Sequence, residues 1–213
     1  MRRMIEVVAV VVVLIGLMSS LILLPDTQDF TKYNVLIETL TLTPFGISGT
    51  VGSGVVISRD GLIVTAAHVL CDASTVRITL HDGRVFDVND FYVDDELDIG
   101  FIDLSCAVRD YITLSDHRVV EKNCTIVGVG NPGGIKTDIT IKGQLCNNQF
   151  RRLVLHKTIS FLLAIMPVEP GFSGGGVYAN DELVGIKIIK IDEFAIMVPS
   201  DVCLQALERY SAQ

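Results

Sequence analysis

Gly52-Ser53-Gly54-Val55-Val56-Ile57-Ser58-Arg59-Asp60-Gly61-Leu62-Ile63-Val64-Thr65-Ala66-Ala67-His68-Val69 reads as two strands, a tight turn and a histidine. Thr50 to Ser58 is rich in β-formers, Arg59-Asp60-Gly61 supplies a turn, and Leu62 to Thr65 resumes an apolar run. That is the pattern of a β-hairpin. His68 follows the second strand directly, among small residues that let other chain segments come close. A lone histidine is more often a satisfied or exposed residue than a reactive one, so its meaning depends on partners elsewhere in the chain.

On both sides of the hairpin the same punctuation repeats. Val35 to Leu42 precedes it; Thr75 to Leu80 alternates, and His81-Asp82-Gly83 turns into Val85 to Tyr92. Ile99 to Leu104 is a further short apolar run. After Tyr111 the pattern restarts with Cys124–Val129, Thr137–Ile141, Leu153–Leu163, Gly175–Tyr178, Leu183–Ile191 and Phe194–Val198. Many short strands separated by Gly, Asp and Asn turns predict an all-β barrel or sandwich, with residues 110–122 dividing it into two lobes. One helix closes the chain over 201–211. Ser200 is its expected N-cap, and Cys203, Ala206, Leu207 and Tyr210 share one face.

Composition narrows the class. The chain has 213 residues, 49% hydrophobic and 20% charged, enough to bury a core. Its net charge of −8, with no basic run beyond Arg151-Arg152, argues against a nucleic-acid partner. Cys71, Cys106, Cys124, Cys146 and Cys203 show neither CxxC nor zinc spacing and read as small hydrophobes rather than a disulfide framework. No metal and no cofactor is expected. At the amino end, Met1-Arg2-Arg3 precedes an apolar run from Val7 to Leu24, roughly 18 residues, the lower limit for a membrane-spanning helix. It lacks a small-residue cleavage site, so residues 1–25 are expected to be a single-pass signal anchor, with 26–32 a linker. Arg2 and Arg3 before the run keep that end in the cytoplasm and export the remainder. The competing reading is cleavage near Pro25 and release of a soluble, secreted protein.

Pro170-Gly171-Phe172-Ser173-Gly174-Gly175-Gly176-Val177 places a serine among glycines just before an apolar strand. Such a turn can expose a hydroxyl and leave backbone N–H groups bare for an oxyanion. A serine hydroxyl needs a base, and the base an orienting acid. His81 and His117 sit in turns beside Asp82 and Asp116, and His156 lies in a basic strand, which leaves His68. Asp98, between Leu97 and Ile99 at the mouth of an apolar strand, stands out from the loop residues Asp94, Asp95 and Glu96.

The hairpin and its histidine resemble the first-lobe signature of trypsin-fold serine proteases, closest to the HtrA/Deg branch. Leu97-Asp98-Ile99 resembles that branch's aspartate segment, and Gly128-Val129-Gly130-Asn131-Pro132-Gly133-Gly134 with Thr140-Ile141-Lys142-Gly143 its second-lobe opening. Pro170 to Gly175 resembles its nucleophile loop, and Phe194 to Ser200 its last strand and the start of its closing helix. The likeness runs in order from about residue 34 to 209. It implies two six-stranded antiparallel β-barrels in a domain over 33–213, with lobes at about 33–112 and 113–200, and a membrane-anchored serine endopeptidase acting on protein or peptide substrates. It further implies Ser173 as nucleophile, His68 as base, Asp98 as its orienting acid, and the N–H groups of Gly171 and Ser173 as the oxyanion hole.

The departures qualify this. Phe172 stands where the branch usually has Asn; it either packs under the loop and orders it, or misplaces the oxyanion donors, which opens the alternative of a catalytically silent, tethered binding module. The branch's carboxy-terminal PDZ domain is not expected, since the sequence ends at Gln213. The resemblance assigns substrate contacts to Val168, Ile188, Ile189 and Lys190, with Val184, Ile186, Ile188 and Lys190 on one strand face by period two. With no acid at Pro167 or Val168, where the resemblance puts the pocket floor, cleavage after Lys or Arg is not expected. A small apolar P1 pocket is expected, and an acidic preference set by Lys190 is the alternative.

Overall fold

The computed structural model describes residues 28–44, 46–115, 120–154 and 157–212. A 3-10 turn at Thr31–Tyr33 leads into β1 (Asn34–Thr43), β2 (Gly46–Val56) and β3 (Leu62–Ala66). Helix α1 (Ala67–Leu70), β4 (Thr75–Thr79), β5 (Val85–Val88), β6 (Tyr92–Asp94) and β7 (Ile99–Asp103) complete one sheet, ordered β5-β4-β1-β2-β3-β7-β6. The predicted hairpin closes as read. Ile57 N–H donates to the Leu62 carbonyl at 2.8 Å, and Gly61, at φ 90°, takes the left-handed position that glycine fills without steric cost.

The second half holds β8 (Thr125–Gly130), β9 (Ile139–Val154), β10 (Lys157–Ile165), β11 (Gly176–Ala179), β12 (Glu182–Ile191) and β13 (Phe194–Pro199). These close into a six-stranded barrel, β10-β13-β12-β11-β8-β9, and α2 (Ser200–Ser211) follows. Both sheets are antiparallel, as expected. The first departs from a closed six-stranded barrel: it has seven strands, and among the described residues its edges β5 and β6 do not pair with each other. At four and three residues they make only one ladder each. The expected strand Leu153–Leu163 is divided between β9 and β10, with Val154 opposite Lys157. β9 itself runs for 16 residues through Gly143 and Asn147-Asn148. Pairing with β8 over its first part, including Gly143, and with β10 over its second, including Asn147, overrides the weak strand preference of those residues.

The α2 face is the one expected: Cys203 and Ala206 are fully buried, with Leu207 and Tyr210 packed on the same cluster. The cap is not. Pro199 holds the N-cap position, and Ser200 begins the helix, its Oγ accepting from Ser115 N–H at 2.8 Å. All five cysteines are free, and only Cys203 is buried. The expected signal anchor, residues 1–25, lies outside the described residues; among those described, no helix is long and apolar enough to cross a membrane.

Candidate active site

The first sheet brings His68 and Asp98 together by register. Ala66, at the end of β3, pairs with Ile99, at the start of β7, so the residues just beyond both strands meet at one sheet end. Asp98 carries φ 57°, a left-handed conformation that Asp tolerates better than most side chains. Its carbonyl accepts from Ala67 N–H at 3.1 Å, and its carboxylate from His68 N–H at 2.9 Å. The same carboxylate faces His68 Nδ1 at 3.0 and 2.9 Å. With both carboxylate oxygens acting as acceptors, Nδ1 is the ring nitrogen that carries the hydrogen, and the lone pair of the neutral ring then belongs to Nε2. The Asp98 side chain is 25% exposed and that of His68 43%, so the pair is reachable from solvent.

Ser173 arrives from the barrel, on the loop between β10 and β11. That loop is sewn down by its own backbone. Phe172 N–H donates to Glu169 O, Gly175 N–H to Phe172 O, and Gly174 N–H to Lys187 O. It is also stitched to the first sheet. Ser53 N–H donates to the Ser173 carbonyl at 2.7 Å, and Ser53 Oγ donates to the Gly171 carbonyl at 2.7 Å. Gly174 is required here: at φ 84°, a Cβ would fall 2.1 Å from both the Ser53 carbonyl and Thr65 Oγ1. Thus the serine loop lies against β2 and the end of β3, next to the helix that carries His68.

Phe172 is 3% exposed and belongs to the barrel core with Met166, Val168 and Met197. Its ring occupies the space that Gly130 leaves open, where a Cβ would sit 2.5 Å from the ring. The ring therefore orders the loop from beneath. The Pro170 carbonyl accepts from Gly133 N–H at 3.0 Å, which turns the Gly171 N–H to the opposite side of that peptide. Among the described residues, neither Gly171 N–H nor Ser173 N–H donates to a protein acceptor.

Lys187 also faces Ser173, although no sequence motif singles it out. Its Nζ lies 3.1 Å from Ser173 Oγ, and its side chain is buried, the residue being 5% exposed. Burial lowers its pKa to about 8 from an ordinary 10.5; the Lys190 charge adds to this and Asp98 opposes it. No hydrogen bond joins Ser173 to His68 among the described residues. A lysine inside the apolar run Leu183–Ile189 was the available signal, but period two turned it away from the assigned face. Two bulges in β12 break that period, skipping Val184 opposite β11 and Ile188 opposite β13. The shared face expected for Val184, Ile186, Ile188 and Lys190 therefore does not form. Val184 joins the barrel core, Ile186 and Ile188 pack in the other cluster, and Lys190 is exposed. Val168 is fully buried and Ile189 half-buried.

Comparison with known proteins agrees with this architecture. Residues 52–186 match the family model of the trypsin-like peptidase domain. The chain is 26% identical over 137 residues to a probable periplasmic serine endoprotease, DegP-like, of Chlamydia trachomatis, covering 64% of this chain and 27% of the relative. It is 30% identical over 178 residues to serine protease HTRA4 of Mus musculus, covering 79% of this chain and 36% of the relative. The chain thus spans 27% and 36% of the lengths of these two curated relatives. The solved HtrA-type protease AlgW with tripeptide superposes with a TM-score of 0.73 at 20% identity, over 84% of this chain and 60% of that one, a likeness of fold.

Proposed function

Because the chain belongs to the trypsin-like peptidase domain family, we propose that it is a serine endopeptidase, held to a membrane by residues 1–25 with its peptidase domain, residues 33–213, on the extracytoplasmic side. The observation that carries this reading is the Asp98–His68 contact at 2.9 Å beside a serine loop bonded to β2. Ser173 Oγ attacks the scissile carbonyl while His68 Nε2 takes its proton and later returns it to the leaving amine. Asp98 holds the imidazole and balances its charge. The N–H groups of Gly171 and Ser173 receive the oxyanion; the absence of a competing acceptor among the described residues supports that role. The buried Phe172 ring speaks against a catalytically silent module, because it packs where it steadies the loop. The exposed Lys190 favours a small apolar P1 residue over an acidic one.

Digestion of a mixed peptide library tests both points. Products should end in small apolar residues, and Ser173→Ala should lower turnover by roughly a thousandfold or more, with the circular dichroism spectrum unchanged. Equal turnover in the folded variant would refute the assignment, and a library cleaved after Asp or Glu would refute the pocket.

A further inference from the structure

We propose that Lys187 is a further catalytic residue of this site, a second proton acceptor for the Ser173 hydroxyl besides His68; the proposal rests on the serine-peptidase reading above. Three features of its position point this way. Its Nζ is at hydrogen-bond distance from the nucleophile oxygen itself, 3.1 Å. Its backbone is clamped to the nucleophile loop on both sides: Gly174 N–H donates to Lys187 O at 2.8 Å, and Lys187 N–H to Gly175 O at 3.0 Å. And among the described residues, no carboxylate forms an ion pair with it.

A lysine serving only the fold extends its stem along apolar surface and keeps the ammonium in water. Lys190, three residues later on the same strand, is exposed in that manner. Lys187 instead is turned inward by the bulge that follows it, and its amine is fixed against one hydroxyl. An ammonium buried without a counter-ion is costly, and the cost falls when it gives up its proton. The charged groups acting on it are Lys190 from β12 and Asp98 from the turn before β7, with His68 held to Asp98. β13, across the sheet, places Met197 opposite. With the pKa lowered to about 8, the neutral amine and its lone pair become abundant just above neutrality.

The step balances without any further reagent. As Ser173 Oγ bonds to the scissile carbon, its O–H bond breaks and the proton passes to the Lys187 lone pair, giving the ammonium. The carbonyl π pair moves to oxygen. When the tetrahedral adduct collapses, that pair re-forms the carbonyl, the C–N bond breaks, and an N–H proton leaves Lys187 for the departing amine. The acyl-enzyme remains, and Lys187 is again neutral. His68 is the other base assigned to the same hydroxyl, so the share carried by Lys187 grows as pH rises.

The test is the rate at which a fluorophosphonate labels Ser173 in the full chain, followed from about pH 6 to about pH 10. The parent rate should climb through a limb near pH 8, matching the lowered value at Lys187. Lys187→Met, which fills the same space without a nitrogen, should lose that limb and fall by roughly tenfold or more at its plateau. Lys187→Arg keeps a cation that does not deprotonate in this range, and should lose the limb too. Thermal unfolding of each variant checks that it is folded. Labelling of Lys187→Met at the parent's high-pH rate across the whole range would overturn the proposal, because Lys187 would then restrain the serine rather than activate it. An unchanged profile in both variants would overturn it as well, leaving the peptidase reading intact. No labelling of the parent at any pH would sink both.

Discussion

A single residue shows how far local sequence reaches. Asp98 was separable from Asp94, Asp95 and Glu96 because Leu97 and Ile99 flank it, and it is the carboxylate that meets His68. Asp94, read as part of a solvated loop, is 5% exposed and pairs with Arg209 at 2.8 Å. Its partner comes from the last helix, which no local pattern announces. Lys187 is the sharper case. Its buried ammonium lowers stability, and the sign follows from linkage. The folded pKa, about 8, lies below the ordinary 10.5, so the unfolded chain binds the proton more tightly between those values. Stability from this group therefore rises with pH across that window, and the penalty is fully present below it. Lys187→Met should accordingly stabilise the protein by about 1–3 kcal/mol near neutral pH, with the gain shrinking towards pH 10. Urea unfolding at both pH values checks this, and a variant no more stable than the parent at neutral pH contradicts it.

At the scale of elements, strands were legible wherever apolar runs were short and bounded by turn residues, as in the β2–β3 hairpin. They were not legible where pairing carried polar residues into a ladder, as in β9, or where bulges shifted the phase, as in β12. Bulges leave no mark on the residue pattern, so the faces of β12 differ from those that strict alternation predicts. The serine loop was legible as a glycine-rich turn, but its support was not. Gly130 and Phe172 are a fitted pair from separate segments, one giving up a side chain for the other's ring. Phe172→Ala should cost roughly 3–5 kcal/mol and slow acylation of Ser173, because the loop loses its floor. Phe172→Leu should lose less of both. Denaturant unfolding with labelling kinetics reads the two together, and an alanine variant with full stability and full reactivity would contradict the packing argument.

Over the whole molecule, the proposed site lies where the sheet and the barrel face each other, and each supplies half. His68 and Asp98 come from the sheet, Ser173 and Lys187 from the barrel. Ser53 Oγ donates to Gly171 O and accepts from Asn131 N–H at 2.8 Å, while Asn131 Nδ2 donates to the Val35 carbonyl. These buried bonds, with Tyr210 of α2 stacked on Phe101, hold the two halves in register. The order of histidine, aspartate and serine was readable along the chain. The distance between them was not, since it depends on contacts across the interface. The central claim is that this assembly activates one serine among many. Reaction of the full chain with a fluorophosphonate, followed by mass spectrometry of its peptides, measures that directly. One adduct on the peptide carrying Ser173, absent from Ser173→Ala, is the predicted result; no adduct, or an adduct on another serine, would contradict it.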